Sequence, residues 1–466
     1  MNLQHVDSHV VTLSQAVQKS RIFEHATSVC QSLHDVGFKA YFVGGCVRDF
    51  FLFPNFEPKD IDIATDADPQ VVKNTFPNSF YLGKDFGVCA VPQGGFEFEV
   101  TTFRKEGPYS DHRHPDFVVK GTWEDDSLRR DFTINALYFD PQAGILHDPF
   151  GGWHDLNAKS LACIGDPAQR FGEDSLRILR LLRFAAGLKL NIEQNTALAA
   201  QTLASAVSDL SLERILQEVT KVKAGGLPHY LELWIEFSIL SHLFADLIFK
   251  DTERWRPLSQ ELPANFHAGF PLTALGYHLL PLLGNDKKYD KYFDSALLRW
   301  PATRSDKQLF EFFMQIVRLN ESIKDTHHDV FQYSLYRVLK KAGSLPLTSV
   351  CAVLKAVSNR FEPPYGEELR ALGDHLLLQE TSRDLNLEQV LKICASQVPK
   401  KYTHDEISET LKQRTLPQSY LGVWLDWQEA AHMIKVPQMQ GVRSLEKDEV
   451  LKIVDKIVQF KKSRGK

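Results

Sequence analysis

In the segment KDIDIAT, Asp60 and Asp62 stand two residues apart. Side chains alternate between the faces of a strand, so on a strand these two carboxylates emerge on the same side. Held together they repel, and a magnesium ion relieves the repulsion by taking oxygens from one or two carboxylates together with substrate phosphates. The pair therefore reads as a catalytic Mg2+ site. An isolated DxD is usually a solvated turn, so its surroundings decide. Upstream, the apolar run AYFV ends on Gly44 and Gly45 and is followed by VRDFFL, which starts a helix and carries Arg48. Backbone N–H groups and the positive end of the helix dipole would then face a triphosphate.

Farther along, FEFEVTTFR sets Glu97 and Glu99 on one strand face, either of which can join the aspartates; Glu99 is the preferred third carboxylate. RRDFTINAL supplies Arg129, Arg130, Asp131 and Asn135, arginines that can fork onto phosphate oxygens and polar groups that can bond ribose hydroxyls. In RFGEDSLRILRLLRFAAG, Ile178, Leu181, Leu182 and Ala185 follow the helical i, i+3, i+4, i+7 rule and predict a buried stripe. Asp174 and Arg177, three apart, are expected on another face of the same helix, either as an ion pair or as a protein template. Cytosine and adenine each offer an exocyclic amino donor beside a ring-nitrogen acceptor, which an aspartate acceptor and an arginine donor match; uracil and guanine present the reverse order.

These groups must be positioned by a chain of 466 residues, too long for one core, so several packed units are expected. Helical periodicity over 20 to 36 closes at Gly37, in the C′ position. Strand composition with glycine punctuation follows at AYFV, 60–64, 80–91 and 96–103, with helices near 47–53 and 69–76. After Gly165 the periodicity is helical with no convincing strand. The expected fold class is α+β, a mixed-sheet head followed by an all-α remainder. Hydrophobic residues at 43% and charged residues at 24% predict a chain folded throughout. Six cysteines without CxxC spacing argue against structural zinc or a disulfide framework. Neither a signal-peptide plan nor an eighteen-residue apolar run is present, so the expectation is a cytoplasmic protein without membrane contact. No obligate protein partner is evident. Net charge is −5, so any RNA contact must be local, in the arginines from Arg129 to Arg183 or the basic end from Lys452 to Lys466.

Taken together, YFVGGCVRDFFL, KDIDIATDADP, YLGKDFGVCAV, EVTTFR, RRDFTINALYFDP, DPFGGWHDL, RFGEDSLRILRLLRFAA and LERILQEVTK resemble the ordered motif set of class II tRNA nucleotidyltransferases and bacterial poly(A) polymerases, over about 38 to 226. Each motif alone is weak; eight in order are not. The resemblance implies a polymerase-β-like nucleotidyltransferase head at 1–155, a neck at 156–228, a body at 229–362 and an RNA-binding tail at 363–466. It also implies metal on Asp60 and Asp62, ribose and phosphate contacts from the RRD motif, and base selection by Glu173, Asp174 and Arg177, with Arg180 a turn farther on. Glu213, Arg214 and Glu218 match the ERxxxE motif that braces the neck helix in the family. The implied substrates are ATP, CTP and the 3′ end of tRNA.

The family divides by product into CCA-adding, CC-adding and A-adding enzymes and poly(A) polymerases. Residues 107–122 resemble the loop that CC-adding members lack, and Leu82 to Phe86 has one basic residue, Lys84, where poly(A) polymerases usually have two. A tRNA enzyme adding CCA or its terminal A is expected, with poly(A) polymerase as the alternative, kept open by a chain longer than many tRNA enzymes. His112 departs from the family's DGRxP loop. A small-molecule nucleotidyltransferase would need no base-reading neck, and a silent RNA-binding protein no aligned aspartates.

Overall fold

The computed structural model describes residues 7–53, 55, 57–83, 87–110, 115–244, 262–263, 266–283, 287–323, 335, 338–339, 345–358, 366–367 and 369–370. Lys84, His112 and nearly all of the expected tail lie outside them. The chain forms two compact units, Met1–Asp246 and Leu247–Lys466.

The first unit begins β1 (Asp7–Val10), α1 (Gln15–Gln18), α2 (Arg21–Asp35), β2 (Ala40–Val43), α3 (Gly45–Leu52), β3 (Asp62–Thr65), α4 (Pro69–Thr75), β4 (Phe80–Gly83), β5 (Val88–Gln93) and β6 (Phe96–Thr102). A hairpin, β7 (Arg104–Glu106) and β8 (Val118–Lys120), precedes α5 (Trp123–Leu128), β9 (Tyr138–Asp140), β10 (Ile145–Asp148) and α6 (Gly152–Asn157). Then come β11 (Ser160–Leu161), α7 (Pro167–Glu173), α8 (Leu176–Leu188), β12 (Asn191–Ile192), α9 (Gln194–Thr202), α10 (Leu212–Thr220), α11 (Leu227–Glu236) and α12 (Ile239–Leu243).

Eight strands make one mixed sheet in the order β1-β10-β9-β2-β3-β6-β5-β4. Within it β3 and β6 run parallel, which requires a crossover, and α4 with the β4-β5 hairpin supplies it. The amphipathic α2 buries Ile22, Ala26, Val29, Cys30 and Leu33, packing against β2, β5 and β6. It ends as the sequence predicts: Gly37 has φ +87°, and the N–H groups of Gly37 and Phe38 donate to the carbonyls of His34 and Leu33, a Schellman cap. On the opposite face Val43, Ala64, Phe103 and Tyr138 form a second cluster, covered by Tyr41 and Trp123.

Two expectations need correcting. Among the described residues after Gly165 there is one short strand, β12, which pairs in parallel with β11; two residues are too few to leave a periodic signal. Residues 229–244, assigned from the sequence to the body, pack within the first unit, because α11 lies on α8 and buries Leu231 and Trp234 there. In the second unit, α13 (Phe266–Gly269), α14 (Pro271–Leu279), α15 (Lys287–Leu298), α16 (Arg304–Ile323) and α17 (Leu347–Ser358) are helical as expected. There Asp306 accepts from the N–H groups of Leu272 and Thr273 at 2.8 and 3.0 Å, satisfying donors that open α14. No helix among the described residues is long and apolar enough to cross a membrane.

Candidate active site

Because β2 and β3 are antiparallel with Val43 opposite Asp62, the turn that ends β2 sits beside the aspartate that opens β3. Gly44 is the N-cap of α3 at φ +77° and ψ −137°, a backbone that L residues rarely adopt. A Cβ there would stand 3.4 Å from Arg130 Nη1 and 3.9 Å from Asp62 Oδ2. Three groups singled out in separate sequence segments thus meet at one point. Asp60 is placed differently from expectation: β3 starts at Asp62, so Asp60 lies in the chain leading into the strand. The preference for Glu99 over Glu97 has a physical basis in register. Ile63 pairs with Val100, which sets Glu99 level with Asp62, while Glu97 falls two residues farther along.

Asp60, Asp62 and Glu99 are all solvent-exposed residues. The protein packed around the Asp62 carboxyl, and next the charges of Glu99 and Asp60, nevertheless raise it to about 6 against the pull of Arg130. Such an excess of negative charge, offered by oxygens alone, suits a hard divalent cation. Among the described residues no three His, Cys, Asp or Glu side chains form a metal-holding group. Asp60 and Asp62 remain the pair expected to hold the metal, and Glu99 adds its charge beside Asp62.

A sign follows for stability. Asp62 titrates higher in the folded chain than unfolded, so its contribution is fully present below about pH 4 and lost as pH rises through about 6. Asp62→Asn is expected to melt above the wild type in EDTA at pH 7.5, with the gap narrowing toward pH 4.5. Equal melting temperatures at pH 7.5 would show that the crowding is not felt.

The RRD motif is more occupied with protein than the sequence suggested. Arg180 Nε and Nη2 donate to Asp131 Oδ2 at 2.9 and 2.5 Å, and Asn135 Nδ2 and the Phe132 N–H donate to Oδ1. Burial alone would raise this carboxyl, but Arg180 and the hydrogen bonds hold it at about 2. Arg48 donates to Asn135 Oδ1 at 2.7 Å and pairs with Asp49, which Lys223 also reaches at 3.1 Å. Arg48, Asn135, Asp131 and Arg180 thus form one chain of contacts across α3, the head and α8. Gly45 stands beside it, since a Cβ there would lie 3.5 Å from Arg48 Nη2. Arg129 and Arg130 both pair with the fully buried Asp126, and Arg130 also donates to the Tyr138 hydroxyl at 3.0 Å. Removing Asp131 leaves Arg180 without its partner. Arg180 keeps 32% side-chain exposure, so Asp131→Ala is expected to cost about 2–3 kcal/mol, less than the ~3–5 of a fully buried pair. The urea midpoint measures this, and an unchanged midpoint would refute it.

In the neck the predicted stripe holds: Ile178, Leu181, Leu182 and Ala185 are buried. The shared face of Asp174 and Arg177 does not. The helix breaks at Asp174, which caps α7 in extended geometry (φ −152°, ψ 106°), and α8 starts at Leu176. Instead of pairing with each other, Asp174 accepts from Arg214 Nη2 at 3.1 and 2.9 Å, and Arg177 Nη1 donates to Glu173 Oε2 at 2.7 Å. The brace on this region is visible: Arg214 holds Asp174, and Glu218 accepts from Arg183 at 2.6 Å, while Glu213 is exposed.

Several residues with work at the site were not singled out from the sequence. Arg170 donates to Glu173 and to the backbone carbonyls of Arg129 and Arg130 at 2.7 and 2.8 Å, tying α7 to the RRD segment. Its spacing from Glu173 is the i, i+3 ion-pair signal, as are Asp126 to Arg129 and Asp126 to Arg130 at i+3 and i+4. Tyr109 and Glu106, by contrast, carried no periodic signal.

Residues 40–162 match the family model for the poly A polymerase head domain. The CCA-adding enzyme of Streptococcus mutans is 36% identical over 315 residues, covering 67% of this chain and 76% of that enzyme. That of Leuconostoc mesenteroides is 34% identical over 333 residues, covering 70% and 80%. Among solved structures, the Bacillus stearothermophilus CCA-adding enzyme in complex with CTP aligns over 95% of this chain and all of that one, with TM-score 0.60 and 23% identity. The Thermotoga maritima CCA-adding enzyme complexed with tRNA aligns over 95% and 97%, with TM-score 0.52 and 18% identity. At those identities the structural likeness speaks for the fold.

Proposed function

Because this chain belongs to the family of CCA-adding enzymes, the class II tRNA nucleotidyltransferases, we propose that it builds the 3′-terminal CCA of tRNA from CTP and ATP without a nucleic-acid template. The observation that carries the reading is the convergence of Asp62, Gly44 and Arg130 within reach of one triphosphate. Asp60 and Asp62 would hold the divalent metal, which we take to be magnesium for its preference for carboxylate and phosphate oxygens. When bound, that metal supplies charge stabilisation to the phosphoryl group under attack. Arg130 and the N–H groups at the start of α3 cradle the phosphates. The chain Arg48-Asn135-Asp131-Arg180 holds the head against α8 and keeps the phosphate cradle in register with the neck. A cytoplasmic site of action fits substrates of this kind.

Base choice falls to Arg177 and Asp174. Arg177 spends Nη1 on Glu173 and on the carbonyl of Arg170, and its Nε and Nη2 bond no protein group among the described residues. Asp174 accepts three hydrogen bonds, from Arg214 twice and from the Leu176 N–H, of the roughly four a carboxylate can take. One edge thus still donates and the other still accepts, the order that cytosine and adenine share.

Labelled ATP or CTP, offered with tRNAs ending before the first C, after CC and after CCA and with an unstructured RNA, tests the product. Two cytidines and one adenosine are expected, and then arrest. Long adenosine tails on the unstructured RNA, without preference for tRNA, would replace this reading with poly(A) polymerase, the activity named by the head-domain model.

A further inference from the structure

Among the described residues after β7, Tyr109 reaches the neck with its aromatic ring. Tyr109 lies with its ring against the Arg177 guanidinium, 5.5 Å from centroid to Cζ, and its hydroxyl donates to Glu106 Oε2 at 2.5 Å. Glu106 is itself held by Arg104 at 2.9 Å and faces Arg129 at 3.7 Å. The circuit closes on the neck side, because Arg170 bridges the carbonyl of Arg129 and the carboxylate of Glu173, and Glu173 returns to Arg177. Arg129, Glu106, Tyr109, Arg177, Glu173 and Arg170 thus form a ring of contacts joining the RRD segment, the chain after β7 and the neck.

Within that ring Arg177 is held at three places. Glu173 and the carbonyl of Arg170 take Nη1, and Cζ stands over the tyrosine ring, while Nε and Nη2 bond no protein group among the described residues. A guanidinium held by a ring face and a carboxylate loses rotational freedom, so the direction of its remaining donors is set before a nucleotide arrives. The phenol is pushed up to about 12 by burial and by its bond to Glu106, so it stays a donor at any working pH. Tyr109 is half-buried, and its ring also takes up space beside the guanidinium.

We propose that Tyr109 is a positioning residue for nucleotide choice: by packing on Arg177 it sets the direction of the donor edge and limits the room beside it, favouring cytosine until the site is rearranged for adenine. This rests on the reading of the chain as a CCA-adding enzyme. Truncating the ring opens space that the larger purine gains from more than the pyrimidine does.

The test measures kcat and KM for CTP on tRNA ending before the first C and for ATP on tRNA ending in CC, with wild type, Tyr109→Phe and Tyr109→Ala. Phenylalanine keeps the ring and loses the bond to Glu106; alanine loses both. In Tyr109→Ala, kcat/KM for ATP relative to CTP is expected to rise about five- to tenfold, the scale of one partly buried cation–π contact, and mainly through KM. Adenosine should also be added prematurely to tRNA lacking both cytidines. Tyr109→Phe should lie between alanine and wild type. Equal changes for both nucleotides, as a purely structural role predicts, or a shift toward CTP, would overturn the proposal. Wild type adding neither nucleotide to tRNA would instead refute the family activity and the proposal with it. Should the alanine variant fail to fold, Tyr109→Leu, which keeps apolar bulk but loses the ring on Arg177, is measured in its place, and an unchanged ratio of ATP to CTP there overturns the proposal.

Discussion

Asp62→Ala and Asp60→Ala should each lower single-turnover transfer of AMP from ATP to tRNA by at least about 10³-fold, the scale on which charge stabilisation at a transferring phosphoryl group is lost. Both residues are exposed, so neither change empties a core or strands a buried partner. Circular dichroism melts should therefore remain cooperative, with Asp62→Ala no less stable than wild type in EDTA because a crowded carboxylate has gone. Glu99→Gln should act more mildly, since it removes one of the charges crowding Asp62 and leaves both aspartates in place. Transfer within about tenfold of wild type by either alanine variant would remove the aspartates from the chemistry.

Loss of nucleotide selection is expected when Arg177 or Asp174 is removed. A site that hydrogen-bonds both an acceptor and a donor of its substrate rejects the reversed pattern by as much as ~10⁴–10⁵, because buried polar groups are otherwise left unpaired. Arg177→Ala and Asp174→Ala should each reduce the preference for CTP and ATP over UTP and GTP by about 10²-fold or more, while KM for the correct nucleotide changes less. The structure adds a third variant. Arg214 is the side chain that holds Asp174, so Arg214→Ala should blur selection in the same direction without touching the base. Competition among all four triphosphates on a tRNA ending in CC measures this. Undiminished discrimination in all three variants would return these residues to a structural role in joining α7 to α8.

The separation between what was legible and what was not follows the range of the forces involved. Helix α2, its glycine cap and the buried stripe of α8 are local patterns, with periods of a few residues set by backbone geometry, and the structure reproduces them. The break at Asp174 escapes the sequence pattern although Asp174 and Ser175 are residues that favour a helix end over its interior, because the apolar periodicity on either side reads as one continuous helix. Arg214, forty positions away, holds the carboxylate that the break exposes, a pairing that no local pattern announces. Asp60 was likewise expected on the strand, yet pairing with β2 begins only at Asp62, opposite Val43.

By itself the sequence determined the order of motifs, the α/β head with its helical continuation, and the residue types able to hold metal, phosphate and base. Each of those depends on neighbours close in the chain or on side-chain chemistry that travels with the residue. Only the tertiary structure decided which charges meet. It gave Asp131 to Arg180, Arg177 to Glu173 and Tyr109, Asp174 to Arg214, and set Glu99 rather than Glu97 beside Asp62. Charge pairing is short-ranged in space and indifferent to separation along the chain, so many arginines and carboxylates are compatible partners on paper. The packing of α7 and α8 against the head and the parallel register of β3 with β6 select one set from them.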